Sequence, residues 1–238
     1  MNDMIIHSLE HEPLESLGNI EEWARKKGHT ITRTLFYRNW EFPEMEDFDW
    51  LVIMGGSMNI YEEKKYPWLV REKKFISKAI SCRKIVLGIC LGSQLAADVL
   101  GGSVRKNNYR ELGWFPVTLT EEAGNSTIFC SFPQKFTAFH CHGDTFSIPP
   151  SALRIAGSEA CANQIFEYGT VIGLQFHPEY SVEHINHMFS SSSANPAGGK
   201  YVQAKNDILS QIREAEKMRN LLYLLLDSIE GEFKVPKD

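Results

Sequence analysis

The chain has 238 residues, 43% hydrophobic and 23% charged, with a net charge of −5, and a chain of this length buries about three quarters of the surface its unfolded form exposes. A true core is therefore available, and wholesale disorder is excluded. With 25 basic residues against 30 acidic ones, no basic field exists to hold a phosphate backbone, which argues against nucleic-acid binding.

In chain order, residues 4–9, 31–36, 50–54 and 85–89 are short apolar runs rich in β-branched side chains without clean alternation, the pattern of strands covered on both faces. Helical patterns lie between several of them. Residues 18–28 predict a short helix stopped at Gly28, and residues 68–82 repeat Leu69, Phe75, Ile76, Ala79 and Ile80 at helical spacing. Strands alternating with helices predict an α/β domain of three layers, with flanking helices on a mostly parallel central sheet. The second half adds a small antiparallel β region, because LGWFPVTLT, KFTAFHC, NQIFEYG and TVIGLQF follow one another with only turn-like material between, EYGT around Gly169 being a hairpin turn. A helix is expected near residues 182–190, then a loop through SSSSANPAGGK, then an amphipathic helix or helix pair over residues 202–229. Residues 1–190 are read as one domain, with 191–238 as a loop and helical extension packed on it.

The longest apolar runs, residues 50–54 and 221–226, fall far short of the roughly 20 residues that span a bilayer. The start MNDMIIHSLEHE has no basic n-region and no cleavable apolar segment, so a cytoplasmic location is expected. Five scattered cysteines without C-x-x-C spacing read as reduced thiols. His140, Cys141 and His142 are consecutive, and an extended strand sends Cys141 to the opposite face, so no metal site is expected there.

The stretch KIVLGICLGSQLAADVLGG places Cys90 where a buried strand becomes a helix, beyond a carboxyl end where α/β sheets bind ligands. A nucleophile on such a turn needs small neighbours two residues before and after, and Gly88 and Gly92 supply them, as in a G-x-S-x-G elbow. The turn also aims the Leu91 N–H at a reacting carbonyl and puts the sulfur at a helix N-terminus, which favours thiolate. Taken alone, G-x-C-x-G fits a buried packing cysteine equally well.

A thiolate nucleophile calls for a base and the base for an orienter. In VIGLQFHPEY, His177 ends an apolar strand and Pro178 favours extended backbone before it, so Glu179 at i+2 faces the same side and can hold the His177 ring. An isolated His-Pro-Glu would be packing and surface charge; with the cysteine elbow it completes a candidate triad of Cys90, His177 and Glu179. After the third strand, Gly56 in GGSMNIYEEKKYPWL can bring an N–H close to a ligand, and the polar segment up to Pro67 can serve as a lid. His142, Gly143 and Asp144 are placed in a loop leaving another strand, ready for a charged substrate end. Gln94, four residues after Cys90, shares its helix face and can read the substrate.

With GICLGSQLAA, GGS, HGDTF and GLQFHPE in this order and spacing, the sequence resembles the class I (triad-type) glutamine amidotransferases from about residue 3 to residue 190. YPWL, ELGWFPV and HGDTFSIP look closest to the free-standing branch resembling the glutaminase domain of GMP synthase. The resemblance implies a flavodoxin-like fold, Cys90 as nucleophile, His177 as base then acid, Glu179 as orienter, and Gly56 with Leu91 as oxyanion hole. It further implies that Gln94 and residues 142–144 line a glutamine pocket. Ser93 stands where many relatives carry a bulkier residue, at the pocket's edge. The implied chemistry is cleavage of the γ-carboxamide of glutamine through a γ-glutamyl thioester, releasing ammonia and glutamate, with no metal or organic cofactor. No ATP pyrophosphatase loop or P-loop is visible, so any acceptor site belongs to a separate synthetase subunit or is absent. In the latter case the same chemistry makes a γ-glutamyl peptidase or amide hydrolase; a subunit silent until it meets a synthetase is the remaining alternative.

Overall fold

The computed structural model describes residues 3–38, 40–191 and 198–233. Strands β1 (Ile5–Glu10), β2 (Thr30–Leu35), β3 (Trp50–Ile53) and β4 (Ile85–Ile89) are interleaved with helices α1 (Asn19–Lys27), α2 (Trp68–Ser81) and, after β4, α3 (Leu91–Val99). Then come β5 (Val104–Leu119), β6 (Lys135–Phe146), β7 (Leu153–Gly157), β8 (Ile165–Tyr168) and β9 (Val171–Leu174), followed by α4 (Val182–Ser191), α5 (Lys205–Ser210) and α6 (Glu214–Phe233). All nine strands form one sheet in the order β2-β1-β3-β4-β9-β8-β7-β5-β6. Pairing is parallel from β2 to β9 and antiparallel from β9 to β6. The expected antiparallel region is thus a direct continuation of the parallel sheet and not a separate layer.

The reason lies in β9. It returns from β8 through a hairpin whose Gly169 has φ 55°, and its four residues, all buried, insert beside β4 with Ile89 opposite Leu174. One strand therefore joins both halves and carries the chain from the hairpin to the carboxyl end of β4. β3 and β4 are buried throughout, as strands covered on both faces must be. β2 departs from that expectation: it is the sheet edge, and mostly exposed polar side chains alternate along it.

Helix α1 stops where predicted, with Gly28 left-handed at φ 80° and its N–H donating to Arg25 O. The C-terminal segment folds as the helix pair α5 and α6, with Ile208, Met218, Leu222, Leu226 and Ile229 joining the main core. Trp23 Nε1 of α1 donates to Asp227 of α6 at 3.0 Å, and Lys27 pairs with Asp227 at 2.7 Å. The predicted Ser/Pro/Gly loop falls largely on residues 192–197, outside the described residues. β7 was not visible in the sequence, because its five residues have no alternation long enough to read. No helix among the described residues is long and apolar enough to cross a membrane.

Two buried histidines set an acid limit on this fold. Burial lowers His7 and His140 from 6.5 to about 4, despite nearby Asp47 and Glu111 respectively. Between those values the unfolded chain binds protons that the folded chain refuses, so stability falls as pH falls from 6.5 towards 4. The loss is up to about 3 kcal/mol per histidine. Urea midpoints measured between pH 7 and 4.5 should drop, and His140→Gln should flatten that slope.

Candidate functional site

Cys90 connects β4 to α3 with φ 50° and ψ −105°, a region that non-glycine residues occupy only under strain. Its N–H donates to Leu174 O of β9 at 2.8 Å, and its own carbonyl accepts from Gln94 N at 3.1 Å. The two flanking glycines are required by space. A Cβ on Gly88 would lie 2.5 Å from Gly92 O, and one on Gly92 would be driven into the carbonyl of Ile53. The strained, glycine-flanked turn has the backbone geometry of an elbow, whereas a cysteine that only fills core space has no need of strain. At the first turn of α3 the Leu91 N–H has no acceptor among the described residues, as expected of a helix N-terminus.

Beyond β9 the chain continues through Gln175 and Phe176, and His177 N–H donates to Phe139 O of β6 at 2.9 Å. His177 Nδ1 donates to Glu179 Oε1 at 2.8 Å, and the negative charge of the Cys90 sulfur acts on the ring from the other side of the pair. Burial opposes protonation of the ring, but the carboxylate of Glu179 and the Cys90 sulfur outweigh it and hold His177 well above its ordinary value. Both His177 and Glu179 are buried, so the pair works where water screens it little. β4 and β9 are neighbours in the sheet, which explains how residues 87 positions apart in sequence meet.

Four residues of this region carried no sequence signal. Gln175 Nε2 donates to Cys90 Sγ at 3.7 Å and its Oε1 accepts from Gln94 Nε2 at 3.2 Å, linking two expected site residues through an unexpected one. Glu15, in the loop after β1, puts Oε2 3.9 Å from His177 Nδ1. Burial and the neighbouring Glu179 push its carboxyl up, against the pull of His177, and Tyr180 donates to its Oε1 at 2.6 Å. Arg110 joins the wall of the cleft described next.

A cleft of about 220 Å³ opens beside the sulfur, and Gly56, Cys90, Leu91, Gln94 and residues 142–144 all line it. His177 and Glu179 stand behind Cys90, outside that lining. Residues 142–144 lie within β6, not in a loop leaving it: His142 pairs with Glu111 and Asp144 with Lys106 across a bulge in β5. The polarity that suggested a loop reflects this irregular stretch of ladder facing the cleft. The segment 57–67 reaches across to it, with Tyr61 OH donating to Asp144 Oδ2 at 3.0 Å. Ser93 is fully buried and donates to Cys90 O at 2.6 Å, so it braces the elbow and does not edge the pocket.

His140 and His142 do share one face, and they meet a partner from β5 that no spacing in the sequence announces. Ligand atoms of Glu111, His140 and His142 all lie within 4.8 Å of one another. His142 Nε2 is 3.0 Å from Glu111 Oε2, and Ser158 and Gln164 donate to the same carboxylate. His142 Nδ1 donates to Asp144 O at 3.0 Å, so this buried network braces the far wall of the cleft. The cluster is the place among the described residues, apart from the Glu15, His177 and Glu179 group, where an ion could be held.

The family Glutamine amidotransferase class-I matches residues 17–193. The glutamine amidotransferase-like protein YfeJ of Salmonella typhimurium is 32% identical over 234 residues, covering 95% of this chain and 97% of that protein. A glutamine-hydrolyzing GMP synthase subunit of Sulfolobus acidocaldarius is 34% identical over 139 residues, covering 57% of this chain and 70% of its own length. Among solved structures, a glutamine amidotransferase from Thermotoga maritima superposes with a TM-score of 0.87 at 31% identity, covering 96% of this chain and 99% of that one. The strained cysteine elbow, the histidine behind it and these similarities together establish that the chain belongs to the class-I glutamine amidotransferase family.

Proposed function

We propose that the protein is an amide hydrolase that cleaves the γ-carboxamide of glutamine or of a related γ-glutamyl compound. The observation that supports this most is the strained Cys90 turn, coupled to the hydrogen-bonded pair His177–Glu179 and opening on a cleft beside two N–H groups, of Gly56 and Leu91, that no acceptor among the described residues engages. In this scheme the Cys90 thiolate attacks the amide carbon, and the carbonyl oxygen, now carrying the charge, accepts from Gly56 and Leu91 N–H. His177 gives a proton to the departing nitrogen as the C–N bond breaks, leaving a γ-glutamyl thioester. Water then attacks with His177 as base, and glutamate leaves as the Cys90 sulfur is restored. Glu179 holds the ring in the tautomer both steps need. Gln94 and residues 142–144 receive the rest of the substrate. Every step is carried by the chain's own groups and water.

Residues 1–190 act as the catalytic domain and 191–238 as an extension packed on it. Ammonia is released to water or taken by a synthetase subunit in the cytosol, where the thiols stay reduced; all five cysteines are free. Purified protein incubated with glutamine and a panel of γ-glutamyl peptides should release glutamate and carry a transient thioester on the peptide containing Cys90. Preference for the peptides would favour a γ-glutamyl peptidase. Turnover only after a synthetase subunit is added would favour the silent-subunit reading. Neither glutamate nor thioester under any of these conditions overturns the proposal.

A further inference from the structure

We infer that His11 and Glu72, which the scheme above does not use, are positioning residues that fix the Gly55–Gly56 peptide and so aim the Gly56 N–H at the developing oxyanion. The inference rests on that scheme for the role of Gly56. His11 lies just after β1 and Glu72 on α2, and both side chains are fully buried. His11 Nδ1 contacts Gly55 O at 2.9 Å and Nε2 contacts Glu72 Oε1 at 2.8 Å. A carbonyl and a carboxylate both only accept, so the two bonds together need protons on both ring nitrogens, an imidazolium paired with a carboxylate. The ring packs against Phe36 and Trp68, with centroids 5.3 and 5.4 Å away, and those two rings are stacked on each other at 4.5 Å.

A grip on one side of a peptide dictates the other. The chain has no cis peptide bond among the described residues, and in a planar trans peptide the N–H points opposite to the C=O. With Gly55 O drawn to His11, the Gly56 N–H must face away from it. The peptide adjoins the site: Gly56 lines the cleft together with Cys90 and Leu91, and a Cβ on Gly55 would be 3.1 Å from His177 Cε1. The absence of side chains at 55 and 56 is what lets the peptide sit between His11 and the elbow. It also lets the peptide rotate at little cost were the grip lost. A buried ion pair is weak evidence for stability, since apolar replacement is often neutral. Its placement on this carbonyl gives it a different use.

The double variant His11→Phe/Glu72→Leu keeps the stacking and removes both charges, so it should fold with a melting temperature near wild type. Its kcat should fall about 100-fold, the lower end of what losing one oxyanion donor costs, with KM changed by less than about threefold. Alkylation of Cys90 by iodoacetamide, which creates no oxyanion, should proceed at the wild-type rate. Glu72→Gln should keep kcat within about threefold, because its amide can turn to donate to Nε2 and leave the Nδ1 proton on Gly55. A folded double variant with wild-type kcat overturns the inference, as does parallel loss of kcat and alkylation rate. Should the double variant not fold, a crystal structure of the wild-type protein alkylated at Cys90 by iodoacetamide decides. Gly56 N–H directed towards the adduct with Gly55 O on His11 supports the inference, and Gly56 N–H directed away overturns it. That structure requires no substrate, so its outcome stands apart from any failure to find γ-glutamyl hydrolysis.

Discussion

Exchange of Cys90 for alanine is expected to lower kcat by about six orders of magnitude, the scale seen when a covalent nucleophile is removed. The substrate would still enter, because Gly56, Leu91, Gln94 and the β6 segment that line the cleft are untouched, so affinity for glutamine or the preferred γ-glutamyl compound should change little. Glutamate release checks the loss of turnover, and calorimetric binding to the alanine variant checks the retained affinity. Glycine at the same position separates chemistry from strain. Cys90 holds φ 50° and ψ −105°, strain of order 1 to 3 kcal/mol for a side chain with a Cβ and nearly none for glycine. Cys90→Gly should therefore be inactive yet more stable than Cys90→Ala by about 1 kcal/mol or more in urea unfolding. Equal stability of the two would mean that the elbow stores no strain.

The second large effect is on folding. Gly92→Ala should cost about 3 kcal/mol or more, because its Cβ would be forced against the Ile53 carbonyl. Ile53 cannot give way: it sits in β3, held by Leu9 of β1 on one side and Gly88 of β4 on the other. α3 would have to lift off the sheet, carrying the Leu91 N–H and the Cys90 sulfur with it. Gly143→Ala is the contrast. A Cβ there meets nothing within 4 Å, so its stability should stay within about 0.5 kcal/mol of wild type. Thermal melts of the two variants side by side test whether space, and not loss of glycine as such, decides.

The first half of the fold was legible because its signals are local. Residues 85–89 form β4 as predicted, and the helix expected over residues 68–82 ends one residue earlier at Ser81. Gly28 stops α1 through its own left-handed backbone. The tight turn at Cys90 and the meeting of His177 with Glu179 were legible because G-x-C-x-G reports a steric need and His-Pro-Glu reports an extended spacing, both within a few residues. What the sequence hid depends on register between distant strands and on loops. Nothing around Glu111 announces that a bulge in β5 will set it against His142. Nothing around Glu15 announces that the loop after β1 will come within 3.9 Å of His177. His11 and Glu72 are 61 positions apart, on separate elements, and only the folded chain brings them to one carbonyl. Residues 142–144 were misplaced into a loop because cleft-facing polarity on an irregular strand reads like turn polarity.

The ladder that joins β4 to β9 has one more effect. The Cys90 N–H is fastened to Leu174 O, and His177 N–H to Phe139 O on β6, so sulfur and imidazole are mounted on one continuous framework. A gradual change in the twist of that framework, by heat or by sequence drift in its outer strands, carries both groups as a rigid pair and leaves their spacing nearly constant. Divergence in the periphery can therefore accumulate without changing that spacing, whereas Gly56, held through Gly55 O on His11, hangs from a different anchor.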